Sequence, residues 1–472
     1  MPTIINGNPY GFSTVDGLGA GFTDIINLFG FFNTFNSFGA SDTVNVWTGG
    51  FDTLNMVGTG VTDQINLDGS VYDTINGVGM SNSTFNVTGG GGGNTVNVVN
   101  ASGLNLVTLG GVDNSVDLNG NATNTVSTGM GVGTVIIDGG GTSDAGWNTT
   151  VVLGGSQNRV VGQNGGQDAN FNISGGTGQD IVGIGNGVNT VTTAGAGNVI
   201  TVGNNTNTIT FTAGSNNTVH IAPGAPANPL VLDTVNLAGT NNLVTGGDES
   251  TTASGGTGSD TYMLGNGTDS VTDTGDHASI TLGSGTDTVV ANGNANTITV
   301  GNGSDSITAN GNNDTISAGA GSTLGSVSLT AHGNNNAITV GGTASVSVGA
   351  ANTATNDTIT LNATNIGSTL DLPGSNNMVM LTNSAGGTIN DSATGGGLTL
   401  DILATAGTPH ITVNGFENDL TGVLDVNHAI YGSVGAVQAA FTNTNAGLVL
   451  PVGAGQILFA GDHVIPANIQ IT

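Results

Sequence analysis

Aspartate and glycine recur in this chain at a fixed spacing, and together they are the residues from which an oxygen-lined cation site can be built. Between Tyr262 and Ile316 seven apolar residues stand nine positions apart: Tyr262, Val271, Ile280, Val289, Ile298, Ile307 and Ile316. Two positions before them stand Asp260, Asp269, Ala278, Asp287, Asn296, Asp305 and Asp314. A nine-residue register held this long belongs to stacked identical units, not to an ordinary globular core. With each nonapeptide as half a coil, residues 18 apart share an edge. One edge then carries Asp269, Asp287 and Asp305, each led by two glycines: Gly265 and Gly267, Gly283 and Gly285, Gly301 and Gly303. Calcium is a hard cation that takes about six to eight oxygens, and carboxylates with turn carbonyls supply them. Glycine lets a loop turn its carbonyls inward with no Cβ in the way. The spacing predicts at least two ions, between the loops of Asp269 and Asp287 and between those of Asp287 and Asp305. The alternative is that these aspartates only make turns. The opposite edge, with Asp260, Ala278, Asn296 and Asp314, has lost most of its glycines and is expected to be held by asparagine hydrogen bonds.

The elements that must carry these loops are short strands. Before residue 250 a looser repeat of nine to eleven residues runs as DTVN (Asp42–Asn45), DTLN (Asp52–Asn55), DQIN (Asp63–Asn66), DTIN (Asp73–Asn76) and NTVN (Asn94–Asn97). Such alternation reads as a strand with one buried face, and the Gly, Asn and Asp between strands supply turns. The expected fold is all-β: a parallel β-solenoid of half-coils with a narrow aliphatic core, aligned asparagine ladders, almost no helix and a small β-rich C-terminal region. Four regions follow: a Phe-rich segment over 1–38, a degenerate solenoid over 39–250, the nonapeptide roll and its continuation over 251–397, and a C-terminal region over 398–472. The Pro-rich stretch Ala222–Leu230 interrupts the register and reads as a loop or kink.

Two nonapeptides, GGTGSDTYM (Gly255–Met263) and GGTGQDIVG (Gly175–Gly183), fit G-G-x-G-x-D-x-U-x at every defined position. On these residues the chain resembles the repeats-in-toxin (RTX) family, over about residues 175–191 and 255–316. They add Asp260 and Asp180 as candidate calcium ligands. The resemblance implies export by a type I secretion machine and calcium-dependent folding outside the cell. His410–Val426 and Gly455–Thr472 resemble the C-terminal flank that carries the export signal in that family. The N-terminus has no basic region followed by an apolar run, so no signal peptide is expected there.

Charge bounds the partners. There are 31 acidic residues against one basic residue, Arg159, a net charge of −30. Such a chain repels nucleic acid and anionic membranes and needs cations to compact. No run of apolar residues is long enough to span a membrane, and the chain has no cysteine. No H-E-x-x-H or G-x-S-x-G motif occurs, a single arginine argues against polysaccharide lyase chemistry, and the six histidines are dispersed. An enzyme is therefore not expected. Seven of the 14 phenylalanines lie before residue 40: Phe12, Phe22, Phe29, Phe31, Phe32, Phe35 and Phe38. They form either a cap on the first coil or a surface that docks another copy. Composition and resemblance together point to a secreted, calcium-dependent structural protein that associates with itself into a homopolymer, as a surface layer, filament or biofilm matrix. A cell-surface polysaccharide is a further candidate partner. The competing reading is an extracellular adhesin or ligand-binding solenoid that does not polymerise.

Overall fold

A computed structural model describes residues 3–8, 10–18, 23–39, 41–100, 102–120, 122–129, 134–137, 148–162, 170–203, 205–222, 232–319, 326–348, 355–362, 368–382, 386–392, 396–403, 409–416 and 421–472. Among them the regular secondary structure is almost all β-strand, with one α-helix, Val434–Ala440. It divides into two units, Met1–Ala238 and Gly239–Thr472. In each, the strands of the repeat region pair in parallel with the next but one, as Thr53–Thr59 does with Thr74–Ser81 and Ser270–Asp273 with Thr288–Ala291, so the chain alternates between two sheets. This is the parallel β-solenoid expected from the repeats.

In the second unit the nonapeptide register is the coil register. Tyr262 stacks on Ile280, Ile280 on Ile298 and Ile298 on Ile316 in one sheet. Val271 stacks on Val289 and Val289 on Ile307 in the other. All seven are at most 1% exposed. Burying each aliphatic side chain stabilises the coil by roughly 1.5–3 kcal/mol. Pairing in register is therefore what converts the nine-residue repeat into a core.

The first unit follows the same rule with longer coils. The Asp-Thr-aliphatic-Asn tetrads open strands such as Thr53–Thr59 and Thr74–Ser81, in which Leu54 and Ile75 face inward and stack. Their steps run to 21 residues, against 18 in the nonapeptide region. The outward asparagines form the expected ladders. Asn45 Nδ2 donates to Asn27 Oδ1 at 3.0 Å and Asn66 Nδ2 to Asn45 Oδ1 at 2.8 Å. In the second sheet Asn55, Asn76 and Asn97 do the same at 2.9–3.1 Å. The Pro-rich stretch lies outside the described residues except for Ala222.

The C-terminal region is β-rich, as expected, but its pairing changes direction. Gly455–Ala460 continues the parallel ladder on His410–Asn414 and then pairs antiparallel with Gly447–Val452, which carries Thr442–Thr444. The helix starts at Ser433, whose hydroxyl accepts from the Ala436 amide, and buries Val437.

Candidate metal centre

Each predicted calcium ligand begins its strand from a buried corner. Asp269, Asp287 and Asp305 are 1%, 1% and 3% exposed and follow one another along one edge, a coil apart. The Thr251 amide donates to Asp269 Oδ1 at 2.9 Å, the Asp269 amide to Asp287 Oδ1 at 3.0 Å, and the Asp287 amide to Asp305 Oδ1 at 3.3 Å. One oxygen of each carboxylate is thus committed to the backbone of the preceding coil. The other, Oδ2, is buried with no hydrogen-bond partner in all three. A buried carboxylate oxygen without a donor is costly, and a cation relieves it.

The paired glycines are required by close approach. A Cβ on Gly283 would collide with the Gly265 carbonyl oxygen, and one on Gly285 with that of Gly267. The next coil repeats this, with Gly301 against the Gly283 carbonyl and Gly303 against that of Gly285. Two rows of carbonyl oxygens therefore run beside the carboxylate row, in the space side chains would fill. Carboxylates flanked by carbonyls are a hard-oxygen donor set, which fits calcium and not a thiophilic metal. Among the described residues no three His, Asp or Glu side chains converge in a preformed metal cage. Any ion here depends on carboxylate pairs together with those carbonyls.

The electrostatics point the same way. Burial pushes the Asp269 carboxyl up to about 7, and the charges of Asp287, Asp248 and Glu249 add to the rise while the Thr251 amide opposes it. Burial lifts Asp287 to about 6, helped by the Asp305 charge and opposed by the Asp269 amide, and it also raises Asp305. No Lys or Arg occurs in residues 239–472 to neutralise them.

Asp260 and Asp180 are placed differently. Asp260 Oδ1 accepts from the Asn242 amide at 2.8 Å and its Oδ2 from the Gly256 amide at 3.0 Å. Asp180 Oδ1 accepts from the amide and side chain of Asn158, both at 2.8 Å, and its Oδ2 from the Gly178 amide at 3.4 Å. Both oxygens of each are satisfied by protein donors. Along the Asp260 edge the row continues through asparagine: Ala278 N donates to Asn296 Oδ1 at 2.9 Å and Asn296 N to Asp314 Oδ1 at 2.8 Å. Asp314 Oδ2 has no hydrogen-bond partner, but the next coil places Asn336 beside it, not a carboxylate.

A second acidic feature was not anticipated from the sequence. The Asp of the Asp-Thr tetrads does more than make turns: it is buried and handed from coil to coil. Asp24 N donates to Asp42 Oδ1 at 3.2 Å and Asp42 N to Asp63 Oδ1 at 3.0 Å. On the other edge Asn33 N donates to Asp52 Oδ1 at 2.6 Å and Asp52 N to Asp73 Oδ1 at 3.0 Å. Among the described residues sixteen acidic side chains are buried, so much of the negative charge lies inside the coils. The available signal was the fixed place of Asp directly before the strand, where a side chain facing inward meets the amide of the neighbouring coil.

The phenylalanines divide. Phe35 is fully buried, whereas Phe12, Phe31, Phe32 and Phe38 are 79%, 49%, 50% and 53% exposed; Phe22 lies outside the described residues. Phe12, Phe32, Phe51 and Tyr72 stack in a continuous ladder with ring centroids 5.2, 5.1 and 5.2 Å apart. All four hold a positive φ of 58–59°, a corner conformation unusual for aromatic residues.

Comparison with family models, with curated proteins and with solved structures finds no match for this chain.

Proposed function

We propose that this is a secreted, calcium-dependent structural protein that associates with itself outside the cell. The observation that carries the reading is the row Asp269–Asp287–Asp305. Three buried carboxylates one coil apart, each with an unsatisfied oxygen, stand in a unit with no Lys or Arg. Calcium bound along this edge supplies the missing positive charge and ties adjacent coils. The chain's own residues fix the register, hold the carbonyls beside the row and exclude water from the carboxylates. A low-calcium interior keeps such a chain unfolded and exportable, which agrees with the RTX resemblance and its type I export route. Self-association into a layer, filament or matrix is supported by the exposed aromatic ladder, which is more apolar than a solenoid surface needs to be.

The test is circular dichroism of the full chain in chelator and in millimolar calcium, with negative-stain imaging of both samples. The reading expects β-structure and ordered polymers only with calcium. Equal spectra in the two conditions reject calcium-coupled folding. A folded monomer at high concentration in calcium favours the non-polymerising adhesin instead.

A further inference from the structure

We infer that the row of cation sites begins one coil before the aspartate motif does, in a site shared by Glu249 and Asp269. The inference rests on the calcium reading above and extends it to a ligand the nonapeptide pattern does not contain. The loop Gly247–Thr251 lies one coil ahead of Gly265–Asp269: Gly265 N donates to Gly247 O at 2.8 Å, Asn266 N to Asp248 Oδ1 at 3.0 Å and Thr251 N to Asp269 Oδ1 at 2.9 Å. Thr251 therefore stands where the motif has aspartate, and by motif the row ends at Asp269.

The structure supplies a carboxylate from another position. Glu249 takes the place of the second glycine, and its side chain folds inward to 9% exposure with both carboxylate oxygens shielded from solvent. Asp248 beside it stays exposed and is engaged by Asn266. The carbonyl rows extend into this coil as well. A Cβ on Gly265 would collide with the Gly247 carbonyl oxygen and one on Gly267 with that of Glu249, the relation seen in the next two steps. Asp269, tied to the earlier loop through Oδ1 and close enough to feel the Glu249 charge, keeps its Oδ2 buried and without a hydrogen-bond partner. Two buried carboxylates flanked by carbonyls, in a unit with no Lys or Arg, form a donor set for a hard divalent cation of the calcium type. Glutamate at the glycine position thus stands in for the aspartate that Thr251 replaced.

Native mass spectrometry of the calcium-saturated full chain counts the ions in wild type, Glu249→Gln and Asp287→Ala. The expected result is one ion fewer in Glu249→Gln and two fewer in Asp287→Ala, whose carboxylate is shared by two sites. Glutamine keeps the shape of the side chain, and a wild-type dichroism spectrum in calcium verifies that the variant folds. An unchanged count in Glu249→Gln overturns the inference, leaving Glu249 a buried acid without a cation. The Asp287→Ala count judges the underlying reading separately, and no loss there rejects the calcium row itself.

Discussion

The backbone amide of Asp269 donates to Oδ1 of Asp287, one coil further along, at 3.0 Å, and this single contact sets how the edge behaves. It satisfies one carboxylate oxygen, locks the register of two coils and leaves Oδ2 buried without a partner while the Asp305 charge acts on the group. Charges about 4.8 Å apart at an effective dielectric near 20 repel by roughly 3 kcal/mol. Without cations the row opposes its own stacking; with them the sign reverses. The full chain is therefore expected to lose most of its β-signal in chelator and regain it above about 0.1–1 mM calcium, the range of weak extracellular sites. A calcium titration followed by circular dichroism measures the midpoint.

Asp287 and Asp314 separate the two edges. Asp287 is flanked by Asp269 and Asp305, whereas Asp314 is flanked by Asn296 and Asn336. Asp287→Ala removes a carboxylate from two proposed sites and is expected to move the calcium midpoint upward at least several-fold. Asp314→Ala removes a hydrogen-bond acceptor, costing about 1–3 kcal/mol in thermal stability while leaving the midpoint near wild type. Identical calcium titrations for the two variants would contradict the assignment of edges.

Much of this was legible because the repeat is strict. The seven apolar positions from Tyr262 to Ile316 predicted sheet pairing, register and the sharing of an edge by residues 18 apart, since in-register parallel stacking has one solution for such a pattern. Asp42, Asp52, Asp63 and Asp73 were less legible. Asp before a strand is so common in turns that its burial shows only when the neighbouring coil brings an amide to its Oδ1. Glu249 was hidden for a related reason, because it occupies a glycine position and no pattern expects a ligand there. The aromatic ladder was half visible: the phenylalanines before residue 40 stood out, but Phe51 and Tyr72 join them only through coil stacking.

The first unit should respond to protons. Burial lifts Asp63 to about 7, with the Asp42 amide opposing and the Asp42 charge adding, and lifts Asp52 to about 6. Both folded values lie above the ordinary 3.8, so the folded state holds its protons more tightly than the unfolded chain does. Stability from these groups is full below pH 4 and is lost as pH rises toward 7, by a few kcal/mol at most. Both tryptophans, Trp47 and Trp147, fall in residues 1–238. In saturating calcium, the thermal midpoint read by tryptophan fluorescence is expected to rise on acidification from pH 8 to pH 5. A midpoint that falls over this range would show that other groups dominate.

Tyr262 and Asp273 form a polar pair inside the second unit. The Tyr262 hydroxyl donates to Asp273 Oδ2 at 2.8 Å, and the Gly275 amide donates to Oδ1 at 2.8 Å, with both side chains fully buried. Gly255 makes the space, since a Cβ there would collide with both the hydroxyl and the carboxylate. Tyr262→Phe leaves a buried carboxylate short of a donor and is expected to cost about 1.5–3 kcal/mol. Gly255→Ala should be at least as damaging, because core overpacking costs about 1–3 kcal/mol and this clash meets atoms on both sides. Denaturant unfolding in saturating calcium measures both.

The aromatic ladder gives the proposed self-association a specific site to test. Phe32, Phe51 and Tyr72 are 50%, 48% and 57% exposed although their rings stack on one another. Face-to-face stacking along the ladder uses the ring faces and leaves the edges as an apolar strip on a chain of net charge −30. Burying such rings in an interface would contribute roughly 1.5–3 kcal/mol each. The paired substitution Phe32→Ser and Phe51→Ser removes two rungs without touching an inward-facing residue. It is expected to leave calcium-induced β-structure intact and to abolish ordered polymers in negative stain. Deleting residues 1–38 should have the same effect on polymers while sparing the calcium response of residues 255–316. If the doubly substituted chain still builds wild-type polymers and the deletion does not, the contact lies in the N-terminal segment and not on the ladder. If both variants assemble as wild type does, the aromatic residues serve only to close the first coils and polymerisation uses another face.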